Sequence, residues 1–485
     1  MPDILRVDAA GAVIGIDLDG LDAETTDLIR RAWQGALSPR DDETAQIVMP
    51  NAGSADVMLE ALSQQVTLAA IHAQRGRAWM LHAAGVAGSR GDVVVLVGPS
   101  GRGKTTASRA LAGELGYVSD ETIAIDASGL VHPYRKPLSV IVDPGRPKQQ
   151  VSPAEAGLAG LPAAPLRVRA IVLLDRSPEH EGAPEVEVAD LGDALGELVS
   201  QSSFLTHADA PLRLIAAVAE ATGGVRRVHY REAAELAPVI AGLMDASAAP
   251  VTIPPVSAPV LEATATASLP QADVGAPAED GSSTPAAASA RYRRTAWLDY
   301  VDLHDPDGIA VLTTDGGGNG TVRVLAGIAP ELWRAADGRD LAELVDAATE
   351  RYGAPDGVDG AAAVLQAIGA LMDAGLVASD EPVLARGDEV AWTERGDEVY
   401  ALALDESEPR PRLLAGTAAV IWDWLGEPIT LTQLQARALE DVGRAGAAIA
   451  AEVAAFVESL GAAGLVCRVD SELSEPSELS EPSEP

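Results

Sequence analysis

Residues 92–97 (DVVVLV) are an apolar run of strand-like composition, followed by Gly98-Pro99-Ser100-Gly101-Arg102-Gly103-Lys104-Thr105 and then a helical stretch from Thr106 to Leu115. The eight residues match GxxxxGK[ST], and the order strand, glycine-rich loop, helix constrains the chain more than any other feature, towards an α/β domain. Glycines let the loop backbone wrap a polyphosphate with its N–H groups, a lysine reaches the β and γ phosphates, and a hydroxyl ligates Mg²⁺. The expected ligands are ATP and Mg²⁺, with Gly98, Ser100, Gly101, Gly103, Lys104, Thr105 and Thr106 as contacts. A fortuitous glycine-rich turn is the alternative, but a chain with 46 Gly and only three Lys rarely produces the motif by chance.

After the helix comes GYVSDETIAI (residues 116–125), in which Asp120 and Glu121 sit side by side between apolar positions of strand-like spacing. One carboxylate can serve the metal while its neighbour accepts the proton of an attacking hydroxyl, since a Ser or Thr oxygen is a weak nucleophile until that proton leaves. The plain alternative is a solvated strand start. Asp175 competes for the metal, because it ends the apolar strand AIVLL (residues 170–174) as a Walker B aspartate does, although strands that end in Asp before a turn are common.

Charge narrows the partners. The 485 residues carry 72 acidic and 35 basic side chains, a net −37, which repels a nucleic-acid backbone. Only Lys104, Lys136 and Lys148 are lysines, so a lysine carries more information than an arginine in this chain. Cys467 is the single cysteine, no secretory pattern opens the chain, and no apolar run approaches the roughly 20 residues of a membrane span. A cytoplasmic protein without a disulfide framework is expected.

Residues 246–290 are rich in Pro, Ala, Ser and Thr and read as a disordered linker, and residues 471–485 (SELSEPSELSEPSEP) as a disordered acidic tail. Between them LAGIAPELW (325–333) overlays LAGTAAVIW (414–422) at an offset of 89, and LMDAGLV (371–377) overlays LGAAGLV (460–466) at the same offset. The expected organisation is a P-loop domain over 1–245, the linker, two repeats over 291–380 and 381–470, and the tail. Each repeat reads as three short strands followed by three helices, a small winged-helix-like α+β unit. Its helices in the first copy are expected over 329–336, 341–352 and 361–374, with Gly375 as the C-terminal cap. Trp333, Trp422 and Trp424 are expected in the cores of these units.

The run LHAAGVA (81–87), the loop GPSGRGKT and the SDE of 119–121 together resemble the catalytic domain of HPr kinase/phosphorylase and the HPr kinase-like serine kinases, over roughly residues 66–244. The resemblance implies an ATP-dependent serine kinase in which His82 is the active-site histidine, Lys104 and Thr105 bind nucleotide and metal, Asp120 is the acid/base, and Glu121 is its metal-side neighbour. Glu121 replaces the family's second Asp, and Thr106 stands where the bifunctional enzymes carry Glu, as in kinase-only relatives. A histidine packed at a strand end is the structural alternative for His82. HPr kinase itself forms hexamers, so the resemblance also raises homo-oligomerisation.

LAGIAPELWRAADG, LAGTAAVIWDWLG and the closing AGLV of both copies resemble the PqqD-like domains that recognise leader peptides in ribosomal peptide modification. That resemblance implies that an extended peptide pairs with an exposed edge strand. The strand from Thr321 to Leu325 has all its N–H donors, whereas Pro409 and Pro411 interrupt or flank its counterpart, so the first copy is the expected peptide site. The winged-helix outline admits DNA binding, but residues 382–485 carry 20 acidic and 7 basic side chains, the wrong field for a recognition helix. The full expectation is an α/β P-loop kinase domain followed by two PqqD-type domains, phosphorylating a peptide or small protein that the repeats hold near the site. A non-catalytic, nucleotide-gated peptide chaperone for separate modifying enzymes is the alternative.

Overall fold

A computed structural model describes residues 3–40, 44–99, 101–140, 149–245, 251, 289–304, 307–355, 359–405, 410–442 and 446–469. Ser100, Pro409, all of the expected linker except residues 251, 289 and 290, and the acidic tail lie outside the described residues. Contact density divides the chain into two units, one comprising residues 1–264 and 297–324, the other 265–296 and 325–485.

In the first unit the run at 92–97 is the strand Asp92–Val97, central in a six-stranded sheet. Across that sheet the order is Glu185–Val188, Arg226–Tyr230, Arg167–Arg176, Asp92–Val97, Ala83–Ala87, Gly116–Ser119. Asp92–Val97 and Arg226–Tyr230 both run parallel to Arg167–Arg176, while the remaining pairings are antiparallel. Apolar residues fill both faces of the central strand: Val93, Val95 and Val97 join one core, Val94 and Leu96 the other. Each buried valine or leucine contributes about 1.5–3 kcal/mol of transfer free energy, which is why DVVVLV reads as continuous rather than alternating. The helix Lys104–Leu111 covers one face and the helices Leu191–Ser200 and Pro211–Ala221 the other. The helix Lys104–Leu111 begins two residues before the expected start, because Gly103 at φ +92° turns the chain directly into Lys104, and it ends four before the expected end, with Ala112 as its C-cap.

A further layer lies between Ile4 and Ala73 among the described residues. The strands Ile4–Ala9, Ala12–Asp17 and Gln46–Val48 form a sheet under the helices Ala23–Ala32 and Ala55–Ala73, around a core that contains Trp33 and Tyr134.

The sheet Asp299–His304, Asp307–Thr314, Gly320–Ala326 was expected to open the first repeat, and its residues 299–324 group with the first unit. Leu303, Ala310 and Leu312 enter the same core as Leu195, Leu198, Leu212 and Ile215. A polar contact joins this sheet to a helix. Helix Pro211–Ala221 follows Ala210, which has no side chain able to cap it, and the carboxylate of Asp299 takes over that task. Asp299, 1% exposed, accepts the backbone N–H of Leu212 (2.9 Å) and of Arg213 (3.1 Å), and its other oxygen accepts Arg213 Nε at 2.7 Å.

In the second unit the element order of the first copy recurs in the second. Helices Ala329–Ala335, Leu341–Tyr352 and Gly360–Asp373 correspond to Thr417–Trp424, Leu431–Val442 and Gly446–Ala462. Gly375 and Gly464 take positive φ at equivalent helix ends. The expectation of three strands per repeat falls short. Arg291–Arg294 lies between Asp337–Asp340 and Val377–Ser379 in a further sheet, repeated by Val383–Arg386 between Ile429–Thr430 and Val466–Val469. All of these strands are of two to four residues, and Arg291–Arg294 (RYRR) and Asp337–Asp340 (DGRD) are charged, with no apolar alternation to announce them. The two copies meet through helices Gly360–Asp373 and Leu431–Val442, where a Cβ on Gly369 would stand 2.1 Å from that of Ala436. Trp333 and Trp422 are buried as expected, and Trp424 partly so.

Removing the Asp299 carboxylate leaves two helix N–H groups and a largely buried guanidinium unpartnered. Asp299→Ala is expected to lower the stability of the first unit by about 3 kcal/mol, and Asp299→Asn by less, read as a shift of the urea midpoint.

Candidate functional site

The central strand ends at Val97, and Gly101 (φ +83°) and Gly103 (φ +92°) give the loop its turns before the helix starts at Lys104. An added Cβ on Gly101 would meet nothing within 4 Å, so glycine is needed there for its backbone angle alone. Lys104 is 7% exposed, and its Nζ donates to the Gly98 carbonyl at 2.6 Å and to that of Pro99 at 3.4 Å. Burial holds its pKa below the ordinary lysine value. Thr105 and Thr106 are exposed on the first turn of the helix.

A cavity of about 390 Å³ opens beside this loop, lined by His82, Gly101, Gly103, Lys104, Thr105, Thr106, Asp120, Glu121, Lys136 and Ser139. The structure thus brings together His82, the loop lysine and threonines, and the Asp120–Glu121 pair. Asp175 does not line the cavity. Its carboxylate is engaged by His229 Nδ1 at 2.9 Å and by Arg102 Nη1 at 3.5 Å, and so ties the loop to the neighbouring strands. Of the three candidate carboxylates, Asp120 and Glu121 share the cavity with Thr105.

The strand Gly116–Ser119 delivers the two carboxylates at its end, where Ser119 Oγ accepts the N–H groups of Glu121 (3.3 Å) and Thr122 (3.2 Å) and shapes the turn. Asp120, 9% exposed, accepts the hydroxyl of Tyr117 on Oδ1 at 2.8 Å. Burial, with the Asp120 charge second, pushes the Tyr117 phenol well above its ordinary pKa, so it remains a fixed proton donor that orients Asp120. Glu121 pairs with Lys136, whose Nζ lies 3.0 Å from Oε2.

His82 sits between the strands Trp79–Leu81 and Ala83–Ala87, and its backbone N–H donates to the Gln201 carbonyl at 2.7 Å. Its side chain reaches the cavity. Loss of solvent around the ring, and then the Lys104 ammonium, lower its pKa against the opposing pull of Glu121 and Asp120, which favours the neutral imidazole.

Sequence reasoning missed Tyr117, Lys136 and Ser139. The signal for Lys136 was present in the scarcity of lysine: two of the chain's three lysines line this one cavity. Among the described residues no group of three His, Cys, Asp or Glu side chains is arranged to hold a metal unaided. Two carboxylates and the Thr105 hydroxyl nevertheless suit Mg²⁺, which keeps several waters and binds through one or two carboxylates plus phosphate oxygens.

Because Lys104 disfavours the imidazolium, Lys104→Met is expected to raise the His82 pKa. NMR titration of the seven histidines, with His82→Gln to assign the resonance, checks the direction.

Among known proteins, the family model described as coenzyme PQQ synthesis protein D (PqqD) matches residues 305–377, which run from the hairpin sheet through the three helices of the first copy. A search of curated proteins finds no match for the chain. No helix among the described residues is long and apolar enough to cross a membrane.

Proposed function

We propose that the chain is an ATP- and Mg²⁺-dependent kinase that phosphorylates a serine or threonine hydroxyl of a peptide or small protein, in the setting of ribosomal peptide modification. One observation carries this reading: a single cavity gathers Lys104 and Thr105 of the glycine-rich loop, the Asp120–Glu121 pair and His82. A structural role for the loop alone gives no reason for the adjoining carboxylates and histidine.

Bound Mg²⁺-ATP supplies the phosphoryl group and part of the charge neutralisation. In this mechanism Asp120, held by the Tyr117 hydroxyl, accepts the proton of the attacking alcohol as the new oxygen–phosphorus bond forms and the bond to the ADP oxygen breaks. Lys104 exchanges the Gly98 carbonyl for phosphate oxygens. Thr105 and Glu121 are the residues that would hold the metal. The neutral His82 ring donates to or accepts from the transferring group without adding charge.

The PqqD match supports a peptide partner. Thr321 to Leu325 fall within Gly320–Ala326, an edge strand of seven residues with Val324 exposed, whereas its counterpart Arg412–Ala415 has four and follows Pro411 directly. A longer run of donors suits pairing with a guest strand, which favours the first copy.

Incubation with ATP, Mg²⁺ and a candidate precursor peptide, read by mass spectrometry, is expected to show added phosphate. Lys104→Ala and Asp120→Asn should each reduce transfer by at least about a hundredfold while peptide affinity is kept. Calorimetry that detects no nucleotide uptake by the unaltered protein would overturn the reading, and peptide affinity with no transfer would favour the nucleotide-gated chaperone.

A further inference from the structure

Lys136 has no part in the chemistry assigned so far, and three observations set it apart. It is 5% exposed, in a segment that joins the short strands Val131–His132 and Leu138–Val140. Together with Ser139 it contributes to the cavity from a part of the chain separate from the glycine-rich loop. Its known partners are Glu121 Oε2 at 3.0 Å and, at the limit of a hydrogen bond, the Pro137 carbonyl at 3.5 Å, although an ammonium has three donors.

Composition makes the choice of residue telling. The chain uses 32 arginines and three lysines, yet both buried cations of this cavity are lysines. A compact ammonium serves where a point charge must meet one anionic group in a confined space, and an arginine fork serves elsewhere. As a plain counter-ion Lys136 is poorly explained. Burying an ammonium costs several kcal/mol in general, and the Glu121 side chain that offsets it is 41% exposed and could remain in water unpaired.

Under the proposed kinase reading, on which this inference rests, Glu121 turns to the metal and Lys136 then faces the cavity with an unmet charge. We propose that Lys136 is the transition-state cation of the site, holding the equatorial oxygens of the phosphoryl group in flight, while Lys104 holds the nucleotide phosphates from the loop. The two lysines therefore divide the work. Lys104 acts on the ground state and the transition state alike, whereas Lys136 acts where negative charge spreads over the transferring group, as an arginine finger does in other phosphoryl-transfer enzymes.

The test needs no identified acceptor. Calorimetry measures the affinity of the full chain for Mg²⁺-ADP alone and for Mg²⁺-ADP with fluoroaluminate, a planar mimic of the phosphoryl group in transfer. The unaltered protein is expected to bind the fluoroaluminate complex about a hundredfold more tightly than Mg²⁺-ADP. Lys136→Met should keep its Mg²⁺-ADP affinity within about threefold and lose most of the fluoroaluminate gain, and Lys136→Arg should recover part of it. Should Lys136→Met fail to fold, Lys136→Gln is read by the same criterion. Retention of the full gain without the ammonium, or absence of any gain in the unaltered protein that binds Mg²⁺-ADP normally, overturns the inference. Failure to bind Mg²⁺-ADP at all is a different result and removes the kinase reading itself.

Discussion

The strand Asp92–Val97 pairs on both edges, and from Val93 onward it is apolar and buried on both faces, so its backbone is satisfied and those side chains are sealed from water. Such a strand has no freedom to shift or fray, and the loop that follows it is presented at one fixed place. Arg102, through Asp175 and the Arg176 carbonyl, and the Tyr230 hydroxyl, through the Arg102 carbonyl, hold the loop from the neighbouring strands. Everything in the cavity is positioned relative to that end. The carboxylates arrive on Gly116–Ser119 and the histidine at the start of Ala83–Ala87, both strands of the same sheet.

Within the cavity the charges are arranged in pairs with unequal burial. Lys104 rests on backbone carbonyls, Lys136 on a carboxylate that itself reaches water, and Asp120 on a phenol that cannot release its proton at ordinary pH. Each group is held by a partner that a phosphate or an alcohol could replace. An arrangement of this kind is stable without ligand and still has donors to offer one, because neutral or half-solvated partners release a charge at lower cost than a buried counter-ion would.

Much of this was legible from residue order. The loop, its strand and the Asp120–Glu121 pair are local in sequence, and their spacing survives into the fold unchanged. The repeat offset also carried through, since each helix of the first copy has its counterpart in the second. Other features depend on contacts that no local pattern encodes. Asp299 caps a helix more than eighty residues earlier in the chain, and nothing in WLDY distinguishes it from the chain's other aspartates. The grouping of residues 299–324 with the first unit rests on that contact and on Leu303, Ala310 and Leu312, with Val301 and Val322 beside them, whose alternation would suit any core. Lys136 belongs to the cavity through a tertiary turn rather than a motif, so only the rarity of lysine hinted at it.

The close approach at Gly369 and Ala436 has a bearing on why the chain carries two copies. That contact, the Tyr292 hydroxyl against Thr432, and Gln433 against Asp373 make the second copy a packing partner for the helical part of the first. Each copy therefore has to keep the shape that the other packs against. Sequence drift in the second half is then limited by the shape of the shared helix seam, and loss of that half would uncover Gly369 and its surroundings on the first.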